Sequence, residues 1–122
     1  MERKRYITGE EQEKCRRVAA AFAELEDADI VVVDAGRYGF VKLQYYTPPT
    51  GFENDYTFTD SRALFEDLWE EWLHIQLIAL AKETGADELY YDDFLRRLPE
   101  EKKNRLFSRK QYFAKKAGIE TE

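Results

Sequence analysis

Residues 30–46 constrain the fold more than any other stretch of the chain. Ile30 to Val33 is a run of β-branched residues ending at Asp34, then comes Ala35-Gly36-Arg37-Tyr38-Gly39, and then Phe40-Val41-Lys42-Leu43-Gln44-Tyr45-Tyr46. Two glycines within the connecting loop supply the positive-φ conformations that a hairpin turn of this length needs, so the segment reads as an antiparallel β-hairpin. In the second strand Val41, Leu43 and Tyr45 face one way and Phe40, Lys42, Gln44 and Tyr46 the other, which fits a sheet with one covered face. Thr47-Pro48-Pro49-Thr50-Gly51 ends the pairing because neither proline can donate to a ladder. After a loop, Tyr56-Thr57-Phe58-Thr59 alternates again and is expected to be a short third strand.

Helical patterns flank this unit. Thr8 and Glu11 have capping-box spacing, in which the hydroxyl accepts from an early N–H and the carboxylate reaches back. Cys15, Val18, Phe22 and Leu25 then follow at intervals of three and four as one buried stripe. Asp60 or Ser61 caps the longest helix, Ser61 to Thr84, which Gly85 closes. Asp92 or Asp93 can cap a short helix bearing Phe94, Leu95 and Leu98, and Pro99-Glu100-Glu101 opens a last helix that stops at Gly118. The expected fold class is α+β: a three-stranded antiparallel meander sheet packed by a long central helix and by N- and C-terminal helices. With 122 residues, one domain is expected over 1–122, with 1–6 and 119–122 as flexible tails.

Composition narrows the classes further. Charged residues make up 36% of the chain, but aromatic residues make up 15%, which disordered chains lack. A single Cys cannot form an internal disulfide, and no signal-peptide pattern opens the sequence, so the cytoplasm is the expected compartment. The longest segment poor in charge, Trp72 to Ala81, has 10 residues, against the ~20 apolar residues of a membrane span. The net charge of −6 hides a division: residues 1–17 carry 6 basic and 4 acidic side chains, 18–95 carry 4 and 17, and 96–122 carry 9 and 4.

Two surfaces stand out as candidate contact sites. On the long helix, Leu64, Phe65, Leu68, Trp69 and Trp72 point inward, leaving Glu66, Asp67, Glu70 and Glu71 as an acidic outer face that could bind a protein. On the last helix, Lys102, Arg105, Arg109, Tyr112 and Lys116 recur at steps of three and four as a basic stripe. Such a stripe could track phosphates with the Tyr ring stacked on a base, making nucleic acid the alternative partner. Against that stand the negative total charge and the ordinary tendency of basic residues late in a helix to complement its dipole and dock on an acidic face. The second half of the long helix, Leu73 to Ala81, is apolar nearly all round, so a homodimer through it is expected.

Catalytic and metal motifs are poorly represented. Glu71-Trp72-Leu73-His74 has the Glu-x-x-His spacing of di-metal bundles, but the chain has no second His to complete the set. Cys15 lies on a core stripe, where it reads as a small hydrophobe. No nucleotide-binding glycine motif or serine-nucleophile motif occurs. The α-β-β-β-α order invites comparison with metal-dependent nucleases, but residue 40, two before Lys42, is Phe rather than an acid. No catalytic residue, metal ligand or cofactor is therefore assigned.

Asp34-Ala35-Gly36-Arg37-Tyr38-Gly39-Phe40-Val41-Lys42-Leu43, Phe58-Thr59-Asp60-Ser61-Arg62 and Leu68-Trp69-Glu70-Glu71-Trp72 resemble segments of small accessory proteins carried on integrative conjugative elements of Gram-positive gut bacteria. The resemblance spans about Asp29 to Gly118. That group has no established activity, so the resemblance implies an accessory role and carries over no functional residue. The combined expectation is a non-enzymatic protein that meets a protein partner through the acidic middle or the aromatic hairpin region.

Overall fold

The computed structural model describes residues 6–85 and 91–119. Helix α1 (Gly9–Ala21) leads through a 3-10 segment, Ala23–Ala28, into strands β1 (Ile30–Asp34), β2 (Phe40–Tyr46) and β3 (Gly51–Phe58). Helices α2 (Ser61–Thr84), α3 (Tyr91–Arg97) and α4 (Glu100–Ala117) follow. The α+β class and the antiparallel order β1-β2-β3 are as expected from the sequence.

The hairpin loop uses both glycines at positive φ, 66° at Gly36 and 104° at Gly39. Gly39 is also required sterically, because a Cβ there would stand 2.3 Å from the Phe58 carbonyl oxygen of β3. Asp34 staples the loop by accepting from Gly36 N–H at 2.9 Å, from the Gln12 amide at 3.2 Å and from Arg16 Nε at 3.3 Å. The Gly36 bond, the largest influence, acts with Gln12 and Arg16 to hold its carboxyl below the ordinary value, against a desolvation that opposes them and ranks second.

β1 pairs with β2 without interruption, from Ile30 opposite Gln44 to Asp34 opposite Phe40. β2 pairs with β3 from Phe40 opposite Phe58 to Tyr46 opposite Gly51, with a register shift at Lys42/Leu43. Directly opposed residues share a face, so Ile30, Val32, Phe40, Lys42 and Phe58 form one side and Val31, Val33, Val41, Leu43, Tyr45 and Phe52 the other. The helices cover the first side. Phe40 is buried there against a core that includes Val18, Phe22, Phe65, Leu68, Trp69, Trp72 and Phe113.

Several local expectations are corrected. α1 ends at Ala21, so Phe22 and Leu25 reach the core from its cap and from the 3-10 segment. Thr8 accepts from Glu11 N–H as expected, but the Glu11 carboxylate does not serve the reciprocal half of a capping box. It crosses to α2 and accepts from Ser61 N–H at 3.0 Å and Ser61 Oγ at 3.1 Å, joining two helix starts 50 residues apart. β3 starts at Gly51, well before Tyr56, because Thr47–Thr50 makes a tight turn rather than a long loop. Asp92 and Asp93 lie inside α3, not at its cap. Tyr6, placed by sequence in a loose tail, packs edge-on to Tyr38 at 5.9 Å with Arg37 over its ring, and Ile7 N–H donates to Arg37 O at 3.1 Å. Ile119 packs against the core and donates to Ala114 O at 2.9 Å.

Candidate protein interface

The acidic face expected on α2 is not a single outer surface. Asp67 and Glu71, one turn apart, point toward the sheet, where Lys42 Nζ donates to Asp67 Oδ1 at 2.6 Å and Glu71 Oε1 at 3.0 Å. Lys42 is 3% exposed, and the Tyr56 ring lies 5.4 Å from its ammonium group. Burial of the amine opposes its charge, but the two carboxylates outweigh that, and the Lys42 pKa lies above its ordinary value. Glu66 pairs with Lys110 of α4 at 3.3 Å, so only Glu70 of the four is fully exposed. The physical reason is rotation of the helix: the sheet presents a buried cation, and α2 turns two of its acids to meet it.

The basic stripe of α4 is divided in the same way. Lys102, Arg105, Tyr112 and Lys116 are exposed, whereas Arg109 is partly buried. Arg105 bonds Glu101 within its own helix at 3.0 Å. Arg109 reaches Glu24 of the 3-10 segment at 3.3 Å, and Glu24 also accepts from Trp72 Nε1 at 2.6 Å. The guanidinium of Arg109 lies 4.4 Å from the Tyr112 ring centre, with Lys116 Nζ 5.8 Å away. The ring expected to stack on a base is already engaged by its own cations. α4 therefore docks through Lys110 to Glu66 and Arg109 to Glu24, not through the stripe lying on Glu66, Asp67, Glu70 and Glu71.

The other side chains singled out for chemistry have structural surroundings. Cys15 is completely buried, and burial, followed by Glu11 and Asp60, pushes its thiol up to about 11, far from a thiolate at neutral pH. His74 is exposed on α2, while Glu71 of the Glu-x-x-His pair is held by Lys42. Among the described residues no three His, Cys, Asp or Glu side chains converge as a metal site.

Among the described residues, the outer face of the sheet leaves an apolar surface uncovered. Val33, Tyr45 and Phe52 are 44%, 38% and 56% exposed, and Val31, Val41 and Leu43 are partly exposed between them. Tyr45 and Phe52 pack edge to face at 5.2 Å across β2 and β3. None of these six residues is charged, in a chain of which 36% is charged. Contiguous exposed apolar patches larger than about a few hundred Å² mark contact sites on soluble proteins. The aromatic hairpin was visible in the sequence, but nothing there indicated that Val41, Leu43 and Tyr45 face outward while Lys42 is buried. No known protein family, curated protein or solved structure matches the chain.

Proposed function

We propose that this is a non-catalytic accessory protein of the cytoplasm that binds a protein partner through the outer face of its sheet. The observation carrying this reading is the uncharged surface formed by Val31, Val33, Val41, Leu43, Tyr45 and Phe52. The paired Lys42 and the enclosed Cys15 also favour binding over catalysis, because neither is an activated nucleophile. Nucleic-acid binding along α4 ranks second, since Arg105 and Arg109 already serve carboxylates. The resemblance to accessory proteins of conjugative elements agrees with a partner-dependent role.

Site-directed photo-cross-linking in cells that naturally carry the gene tests this. A photoreactive residue at Phe52 or Tyr45 should give one discrete protein adduct, and the same residue at Glu70 or Lys102 should give none. Adducts confined to Lys102 and Tyr112, and sensitive to nuclease, would establish the nucleic-acid reading instead.

A further inference from the structure

The outer face of the sheet carries unpaired acidic side chains at one end. Where β2 meets β3 as Tyr45 and Phe52, Tyr45 N–H donates to Asp29 O at 2.8 Å and Asp29 N–H donates to Glu26 O at 2.9 Å, so residues 26–29 stand beside the aromatic pair. Glu53 follows Phe52 along β3. Glu26, Asp27, Asp29 and Glu53 are all exposed, and none has an ion pair or a side-chain hydrogen bond among the described residues. The cations nearest the sheet are already engaged. Arg16 serves Asp34 and Glu13, Lys42 is buried against Asp67 and Glu71, and Arg37 lies over Tyr6 and Tyr38. The aromatic rings show the same shortfall. Tyr6, Tyr38, Tyr56 and Tyr112 are exposed, and each has a cation of its own chain 4.4–5.4 Å from its ring centre. Tyr45 and Phe52 are exposed too and have none among the described residues.

We infer that the protein partner meets this face with a segment that sets Lys or Arg at the Tyr45 and Phe52 end and runs on as apolar residues toward Val33 and Val41. The inference rests on the reading of the face as a protein interface and adds the chemistry and direction of what lies on it. The two rings attract a cation through their quadrupoles, and the acidic side chains around them attract it through its charge. The stem of Lys or Arg is itself apolar, so it can lie along the rings while its head reaches the rim. At the other end Val33 lies opposite Val41 and Val41 opposite Thr57, so uncharged side chains cross the whole sheet. An acidic segment would meet like charge at the rim, which opposes docking. The same rim repels phosphate and so disfavours a nucleic acid or an anionic lipid surface as the occupant.

Photo-cross-linking from Phe52 and from Val33 in cells that naturally carry the gene, with the captured segments read by mass spectrometry, tests the inference. The segment caught at Phe52 should hold Lys or Arg within a few residues of the link, and the segment caught at Val33 should be apolar. Asp27→Lys with Glu53→Lys reverses two of the rim charges and leaves Asp29, whose φ of 61° disfavours Lys, in place. It should cut the Phe52 adduct about tenfold or more at unchanged circular dichroism, because like charges then oppose. Glu70→Lys with Glu83→Lys makes the same change in net charge at exposed positions of α2 and should leave the yield unaltered. A captured segment without Lys or Arg, a yield that survives the rim reversal, or one that falls equally with the α2 reversal would overturn the inference and leave the face an interface. An adduct to lipid, to nucleic acid or to a second copy of this chain would overturn it as well. The absence of any adduct from Phe52 would remove the interface reading and this inference with it.

Discussion

Replacing Lys42 with Met keeps most of the side-chain volume and removes the charge on which Asp67 and Glu71 converge. The two carboxylates are 25% and 27% exposed and one turn apart on α2, so losing the ammonium leaves two acidic side chains together with limited water to screen them. Removing one partner of a fully buried ion pair costs about 3–5 kcal/mol, and the partial exposure here points to the low end, about 3 kcal/mol. For a domain of this size that is a fall in melting temperature of about 10–15 °C. Urea titration followed by Trp69 and Trp72 fluorescence measures it. Replacing the whole cluster, Lys42→Met with Asp67→Leu and Glu71→Leu, should recover most or all of the loss, since an apolar cluster of similar volume avoids desolvation. The sign of the pH dependence follows from the raised Lys42 pKa. Its stabilisation is fully present below the ordinary 10.5 and is lost as pH rises through the higher folded value, so wild type and Lys42→Met should converge in strong alkali. A Lys42→Met protein within about 0.5 kcal/mol of wild type, the range of an ordinary surface substitution, would refute the orientation of the sheet.

Further outcomes follow from single contacts. Glu11→Ala strips Ser61 of its acceptor and should cost about 1–2 kcal/mol in chemical denaturation, although Asp60 still caps Ala63 N–H at 2.8 Å. Gly39→Ala combines a φ of 104° with a clash on the Phe58 carbonyl and should cost more than about 2 kcal/mol, read as a lower urea midpoint with an unchanged slope. Glu24→Ala removes the shared acceptor of Trp72 and Arg109 and should cost about 1.5–3 kcal/mol, with amide exchange in α4 accelerating more than in β2. Because the Asp34 carboxyl is held below its ordinary 3.8, its contribution is present above that value and is lost as pH falls through the lower folded one. Asp34→Asn should therefore flatten the acid limb of the stability profile.

The elements were legible because their signals are local. The β-branched run and paired glycines defined the hairpin, and Asp60 and Gly85 bounded α2 as read from the sequence. The facing of the sheet was not legible, because hydrophobicity alone favours Val41, Leu43 and Tyr45 as the covered side. Lys42 reverses that only through Asp67 and Glu71, 25 and 29 residues away. The same long-range pairing dissolved the acidic face, since i, i+4 spacing groups Asp67 with Glu71 but cannot say whether water or a buried ammonium receives them. The role of Glu11 was hidden for a related reason. Its spacing from Thr8 fits a capping box, and only tertiary packing brings Ser61 within its reach. Arg109 likewise belongs to the stripe by periodicity and to Glu24 by packing.

Thiol labelling tests the central claim, an apolar sheet face open to solvent, most directly. Cys15 is the only cysteine and is completely buried, so it supplies a silent background. Phe52→Cys and Val33→Cys, studied at protein concentrations too low for association, should react with a maleimide at rates close to that of a free thiol under conditions where Cys15 stays unmodified. Labelling of both introduced cysteines as slow as that of Cys15, in a folded protein, would mean that the face is enclosed and would contradict the proposed interface.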